Sequence, residues 1–487
     1  MQRPQNLNES QWQAVRCAGS HVLIAAGPGT GKTHTLTRRI AYTIPTLLSD
    51  EKILAITFTN KAASQMQERL EALGVDPAQL FVGTFHGFCL KLLRDYFEHT
   101  ALPKDFKVVL PEDIVGFDKE ILERISRMKS SQLAIDPNED YKETYKAYQH
   151  YLRENGWIDF DDILREALLL LEEESVAQAL RRQYRYIFVD EYQDSNIVQN
   201  ALLKVLARDG VLLTAIGDAH QSIYGFRGSR VELFNRFEED FSPAKILALH
   251  ENYRSAPGLL AASGQVMGGL GLLAKLNTDG KLVIHAAVSD RAEGEYVAHT
   301  IEKLIGGLDM TRSRRAHYSL GDVAVLYRLN AQRHVLGQAL EAVGLPYQVA
   351  HKPKSSKVYS DENVLGQHEE QIEYNVEKVS LMSVHAAKGL EFPVVFIVGC
   401  EDKLFPLELN EMKGDLQEER RLFYVGMTRA REQLYLTHAA RRQLFGRTFT
   451  PNPSVYLSDI AEELKAYEST KRLTPKKSAD DGQMKLF

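Results

Sequence analysis

Residues His21–Ala25 form a short apolar run that ends in AGPGTGKT and continues into helical text through Arg38, Arg39 and Ile40. A strand that feeds a glycine-rich turn and then a helix leaves few architectures open. It calls for a parallel sheet with helices returning over both faces. The backbone N–H groups of such a turn, together with the positive end of the helix, make a cradle for phosphates. Ala26 takes the first position of the loop, where the strict pattern has glycine, and Gly27, Pro28, Gly29, Thr30 and Gly31 follow. Lys32 suits the β- and γ-phosphates, and Thr33 offers a hydroxyl to Mg²⁺.

Further alternation supports an α/β class. Ile53–Phe58 precedes helix-like Lys61–Leu73, Tyr186–Val189 runs into two acids, and Val211–Ile216 runs into Gly217 and Asp218. Asp190 can hold Mg²⁺, while Glu191 can orient an attacking water and take its proton. A second alternating block begins near Tyr253, with strands expected at Lys281–Ala287, Val323–Tyr327, Lys378–Val384 and Val394–Val398. Helices are expected there at Gly294–Ile305, Gln332–Val343 and Leu416–Arg431. Phosphoryl transfer needs positive charge on the γ-phosphate, and an arginine supplying it contributes roughly 10³–10⁵ in rate. Arg254 (in ENYRS) and Arg429 (in GMTRAR) are candidates, although each alone also reads as a surface ion pair.

Composition limits the partners. Among 487 residues, 59 Lys and Arg face 65 Asp and Glu, a net charge of -6, so any contact with a polyanion must come from local groups. The basic clusters Arg181–Arg185, Arg312–Arg315, Arg441–Arg447 and Lys471–Lys477 read as solvated faces. Apolar runs such as Ala167–Leu171 and Pro393–Cys400 fall short of the roughly 20 residues of a membrane span. The polar N-terminus lacks the apolar core of a signal peptide. Cys17, Cys89 and Cys400 are too far apart for a metal pair or a disulfide framework. A soluble, cytoplasmic, nucleoid-associated protein with no membrane partner is expected.

The motifs, in order, resemble the superfamily 1 helicases of the UvrD, PcrA and Rep type. Leu7-Asn8-Glu9-Ser10-Gln11 is similar to the adenine-reading Q motif; Ala55–Ala62, Gly83-Thr84-Phe85-His86, Asp159-Phe160-Asp161-Asp162 and Val189–Asp194 follow. Then come Gly217–Gly228, Glu251–Ser255, Val325–Arg328, Val384–Phe392 and Glu418–Ala430. The resemblance implies two RecA-like P-loop motor domains with ATP and Mg²⁺ between them. By the same route Gln11 reads adenine, Lys32 and Thr33 hold phosphate and metal, Asp190 is the metal carboxylate and Glu191 the general base. Gln221 senses the γ-phosphate, Arg254 and Arg429 are the finger arginines, and Glu391 contacts the ribose.

Single-strand binding without sequence preference uses aromatic faces plus local positive groups. Phe58, Asn60, His86, Tyr224, Phe226, Arg227 and His385 make up the expected DNA track. His34, Phe226 and Gly87 stand where relatives usually carry arginine, tryptophan and serine. The expected division is 1–93 and 158–250 for the first motor, 94–157 for a short helical insertion, and 251–467 for the second motor. A polar linker at 351–377 would stand in place of the second accessory domain, and 468–487 would be a flexible tail. Gln483, Leu486 and Phe487 resemble a sliding-clamp-binding peptide. The expected activity is an ATP-dependent 3′→5′ DNA helicase or single-stranded DNA translocase, acting on single strands and 3′-tailed duplexes in repair or replication. Alternatives are a translocase that strips proteins without efficient unwinding alone, and a nucleotide switch or clamp adaptor.

Overall fold

The computed structural model describes residues 3–110, 113–131, 142–306, 318–350, 376–409 and 412–469. Two parallel sheets organise them. In the first, neighbouring strands run in the order Leu80–Thr84, Lys52–Thr57, Tyr184–Val189, Leu212–Gly217, His21–Ala26 and Ala244–Leu249. Successive side chains leave a strand on opposite faces. Leu23, Leu54, Ile56, Ile187 and Val189 therefore enter one apolar cluster, while Val22, Ile24, Ile53, Ala55 and Phe188 enter another. Burial on both faces is why these strands read as unbroken apolar runs.

The second sheet runs Tyr347–Val349, Val379–Ser383, Val323–Tyr327, Phe392–Ile397, Ala430–Ala439, Lys281–Ala287 and Ala466–Ser469, also parallel throughout. Its two faces carry separate cores, with Ala324 and Leu326 on one and Val323, Val325 and Tyr327 on the other. This is the α/β architecture of two RecA-like lobes.

Several elements differ from expectation. The helix expected to Arg431 covers Leu416–Met427, because the chain turns at Thr428 and Arg429 and starts the strand Ala430–Ala439. That strand is central to the second sheet, yet its charged first turn of text (Ala-Arg-Glu-Gln) continues the look of the helix before it. The strands Leu80–Thr84 and Ala244–Leu249 lie at the two edges of the first sheet, where half-exposed positions dilute the apolar signal.

Between the first-sheet strands, Lys107–Val109 pairs with Trp157–Asp159, and the helices Lys119–Ser131 and Lys142–Glu154 pack on them. The buried Lys129 ammonium lies 2.5 Å from Asp159 and 2.7 Å from Asp162, and the Tyr148 hydroxyl donates to Asp159 at 2.7 Å. Burial works against this ammonium, but the two carboxylates outweigh it and hold Lys129 above its ordinary range. Nearly all of the polar segment 351–377, the 312–315 and 471–477 basic clusters, and the residues Gln483, Leu486 and Phe487 lie outside the described residues. No helix among the described residues is long and apolar enough to cross a membrane.

Candidate active site

In open α/β sheets, ligands bind beyond the carboxyl ends of the strands. Three neighbouring strands of the first sheet end there in functional text: His21–Ala26 in the phosphate loop, Tyr184–Val189 in Asp190 and Glu191, and Leu212–Gly217 in Asp218. Gly29 and Gly31 adopt φ values of 67° and 82°, a region that disfavours any residue with a Cβ. Space also excludes a side chain at Gly29, where a Cβ would fall 2.6 Å from the Arg254 Cβ and from Asn252 Nδ2. Gly31 caps the helix Lys32–Thr43, and the Thr30 hydroxyl closes the loop on Gly27 O at 2.8 Å.

Gln11 sits at the third position of the helix Glu9–Arg16. Its Oε1 accepts from the Asn8 amide at 3.0 Å, and its Nε2 donates to Thr30 O at 2.9 Å. The Gln11 side chain thereby ties the first helix to the phosphate loop.

Asp190 and Glu191 are adjacent buried acids of opposite tendency. Burial, then the neighbouring Glu191, push Asp190 up to about 7, while Lys32 and Thr33 act the other way. Burial also pushes on Glu191, but Lys32, Lys388, the bond from Gln193 and Arg429 outweigh it and keep Glu191 below its ordinary value. Glu191 thus stays ionised while Asp190 lies near neutrality. The Glu191 backbone is left-handed, with φ 51°, a strained setting for a residue with a Cβ. Gln193 Nε2 donates to Glu191 Oε2 at 2.5 Å, and Thr33 Oγ1 lies 3.4 Å from Asp190 Oδ2. Gln221 Nε2 donates to Asp218 Oδ2 at 2.7 Å in the same layer.

The second lobe's contribution begins with Glu251–Ser255, which is seated on the phosphate loop. Asn252 Nδ2 donates to Pro28 O at 2.6 Å, and the Tyr253 amide donates to Gly29 O at 2.8 Å. Asn252 Oδ1 accepts from the Arg254 and Ser255 amides. Arg254 Nε lies 2.5 Å from Glu391 Oε2. Arg429 is 1% exposed and donates to Val425 O, Leu390 O and Thr428 Oγ1. Burial and then Arg254 push Arg429 down to about 9, opposed by Glu191, Tyr424 and Glu391. Arg254 thus lies against the phosphate loop at Gly29, and the charge of Arg429 reaches Glu191.

The aromatic residues form a file beside this cleft. Phe58 stacks on Tyr224 with centroids 5.5 Å apart, Tyr224 meets Phe226 at 6.0 Å, and Phe226 meets His385 edge-on at 5.4 Å. Arg227 lies over the Tyr224 and Phe226 rings at 5.4 and 5.6 Å, and Phe226 is 55% exposed. Asn60 begins the helix Asn60–Glu71 two residues beyond Phe58. His86 stacks instead on Phe160 at 3.8 Å, in contact with the DFDD segment. Burial, followed by Arg328, Arg227 and Lys388, pushes His385 down to about 3, so its ring is neutral.

Three residues the motif reading passed over are part of the site. Gln193 orients Glu191. Lys388 reaches Asp194 at 2.5 Å and Gln221 O at 2.6 Å across the lobes. Tyr253 is a half-exposed ring hydrogen-bonded to Glu251 and Asn8, beside the phosphate loop. Each lies within a motif, Val189–Asp194, Val384–Phe392 or Glu251–Ser255, beside residues of more evident chemistry.

Residues 7–138 and 117–242 match the UvrD/REP helicase N-terminal domain, and residues 247–364 and 356–441 match the UvrD-like helicase C-terminal domain. The ATP-dependent DNA helicase PcrA of Staphylococcus epidermidis RP62A is 28% identical to this chain, with 94% of this chain and 87% of that protein covered. The ATP-dependent DNA helicase PcrA of Staphylococcus aureus MRSA252 is 29% identical, with 96% and 88% covered. These alignments run over 649 and 657 positions against 487 residues, so the relatives carry stretches that this chain lacks. With paired parallel sheets, a phosphate loop on the first and both halves matched, the chain belongs to the UvrD-like helicases.

Proposed function

We propose that this protein is an ATP-dependent DNA helicase that moves 3′→5′ along single-stranded DNA. The observation that carries the reading is the seating of Arg254 on the phosphate loop at Gly29 and the reach of Arg429's charge to Glu191, with the Phe58–Tyr224–Phe226–His385 file alongside. Lys32 and the loop amides hold the β- and γ-phosphates. Glu191, kept ionised by its neighbours, accepts a proton from the attacking water. Arg254 lies against Glu391 and need only exchange that partner for the γ-phosphate. Tyr253 offers a flat face to the base beside Gln11.

The donor set fits Mg²⁺: Asp190 is a buried carboxylate near neutrality, and the Thr33 hydroxyl lies beside it. Bound there, the ion supplies charge against the phosphate oxygens. Asp190 and Thr33 would hold it, and the rest of the chemistry belongs to the side chains already named.

The missing stretches relative to PcrA support a compact motor whose unwinding depends on a partner. Strand displacement on 3′- and 5′-tailed duplexes tests this. The expected result is activity only with the 3′ tail and weak activity alone; a 5′ preference overturns the direction, and robust processive unwinding by a lone monomer overturns the partner dependence. Gln483, Leu486 and Phe487 supply the chemistry of a clamp-docking peptide on a tether. Deleting 483–487 is expected to abolish clamp binding and leave DNA-stimulated ATP hydrolysis unchanged; retained binding refutes the tether.

A further inference from the structure

The loop after the strand Leu212–Gly217 belongs to the first lobe by chain connection, yet the second lobe holds it. Ile223 is fully buried in the second lobe's apolar cluster, among residues such as Val384, Leu422 and Phe423. The backbone around it is gripped at three points from the same side. Lys388 Nζ donates to Gln221 O at 2.6 Å, Arg421 Nε donates to Ser222 O at 2.7 Å, and Glu418 Oε1 accepts from the Gly225 amide at 3.0 Å. Glu418 and Arg421 are one turn apart on the helix Leu416–Met427, so they reach the loop from one face. Arg429 follows that helix directly.

The other attachments of the loop lead to the hydrolytic acids. Ser222 Oγ donates to Gln193 O at 3.0 Å, Gln193 Oε1 accepts from the Asp218 amide at 3.0 Å, and Gln193 Nε2 holds Glu191. Beyond Ile223 the loop carries Tyr224 and Phe226, the exposed end of the aromatic file. One rigid helix thus places Arg429 at the cleft and two side chains on the segment that aims the base-stacking rings.

We propose that Glu418 and Arg421 are positioning residues that couple nucleotide turnover to DNA: they make the Gln221–Gly225 segment travel with the second lobe. The proposal rests on the motor reading above. Among the described residues, neither side chain hydrogen-bonds to the phosphate loop or to Glu191, so turnover without DNA does not require them. Gly225 gives an independent handle. A Cβ there would fall 2.3 Å from Glu418 Oε2 and 3.1 Å from its carboxyl carbon, and the Gly225 backbone is not left-handed. Gly225→Ala therefore displaces the carboxylate without straining the chain.

The test measures ATP hydrolysis with and without oligo-dT, together with translocation rate along it, for wild type, Glu418→Ala, Gly225→Ala, the double variant and Glu418→Gln. Basal turnover and oligo-dT affinity are expected to hold in all. Stimulation and translocation are expected to fall about tenfold in each Ala variant, within the range by which two sites are ordinarily coupled. The double variant should be no worse than either single one, because both remove the same contact. Glu418→Gln, whose amide oxygen can still accept from Gly225, should keep most of the stimulation. Full stimulation in Glu418→Ala, additive losses in the double variant, or an equal fall in basal turnover each overturns the proposal alone. A wild type that hydrolyses ATP equally with and without oligo-dT overturns the motor reading and this proposal together.

Discussion

Asp190 and Glu191 show how two adjacent carboxyls acquire different work from their surroundings. Glu191 has Lys32, Lys388 and Gln193 to hold its charge, whereas Asp190 sits in the same buried layer with less compensation. Glu191→Gln is expected to bind ATP and to lose hydrolysis by about 10²–10⁴-fold, as single-turnover measurements would show. Asp190 carries a pH signature. Its folded value of about 7 lies above the ordinary 3.8, so the fold keeps a proton that the unfolded chain releases. Stability from this group is present below the ordinary value and is lost as pH rises toward the folded one. Asp190→Asn should accordingly match wild type near pH 4 and exceed its stability near pH 8 by about 1–4 kcal/mol in denaturant melts without Mg²⁺.

The helix Glu9–Arg16 illustrates how an element without hydrolytic residues can still serve the site. Trp12 meets Tyr42 edge-on at 5.8 Å, and Leu7 and Val15 complete a small apolar patch against the helix Lys32–Thr43. From that second helix, buried Arg39 donates to Ala14 O at 2.6 Å and Val15 O at 3.1 Å, closing the carboxyl end of the first. Its Nε donates to Thr214 Oγ1, which ties both helices to the sheet. Arg39→Met leaves those carbonyls without a donor, so it should lower stability by about 1–3 kcal/mol in urea. It should also raise KM for ATP more than it lowers kcat, because Gln11 rides on the loosened helix while Lys32 keeps its place at the start of the second helix and Glu191 follows the strand Tyr184–Val189. Steady-state kinetics on the variant separate the two effects.

Across the whole molecule, what could be read from the chain follows what each feature depends on. His21–Ala26 and Lys281–Ala287 were plain because burial on both faces writes a continuous apolar run. Ala430–Ala439 was hidden because charged text carries helix into strand with a two-residue turn between them. Lys32, Asp190 and Arg254 were named from local motifs, and the structure gathers them from three distant segments. The burial of Ile223 in the opposite lobe, the Gln193 bridge and the Arg39 cap depend on partners far away in the chain, and no local pattern announces them. Two lobes meeting over one phosphate loop is the arrangement on which the rest depends. Its most direct test is turnover by Arg254→Ala at saturating ATP and single-stranded DNA, with nucleotide affinity measured alongside. A fall of about 10³-fold or more with ATP still bound is the predicted result; turnover equal to wild type would contradict it.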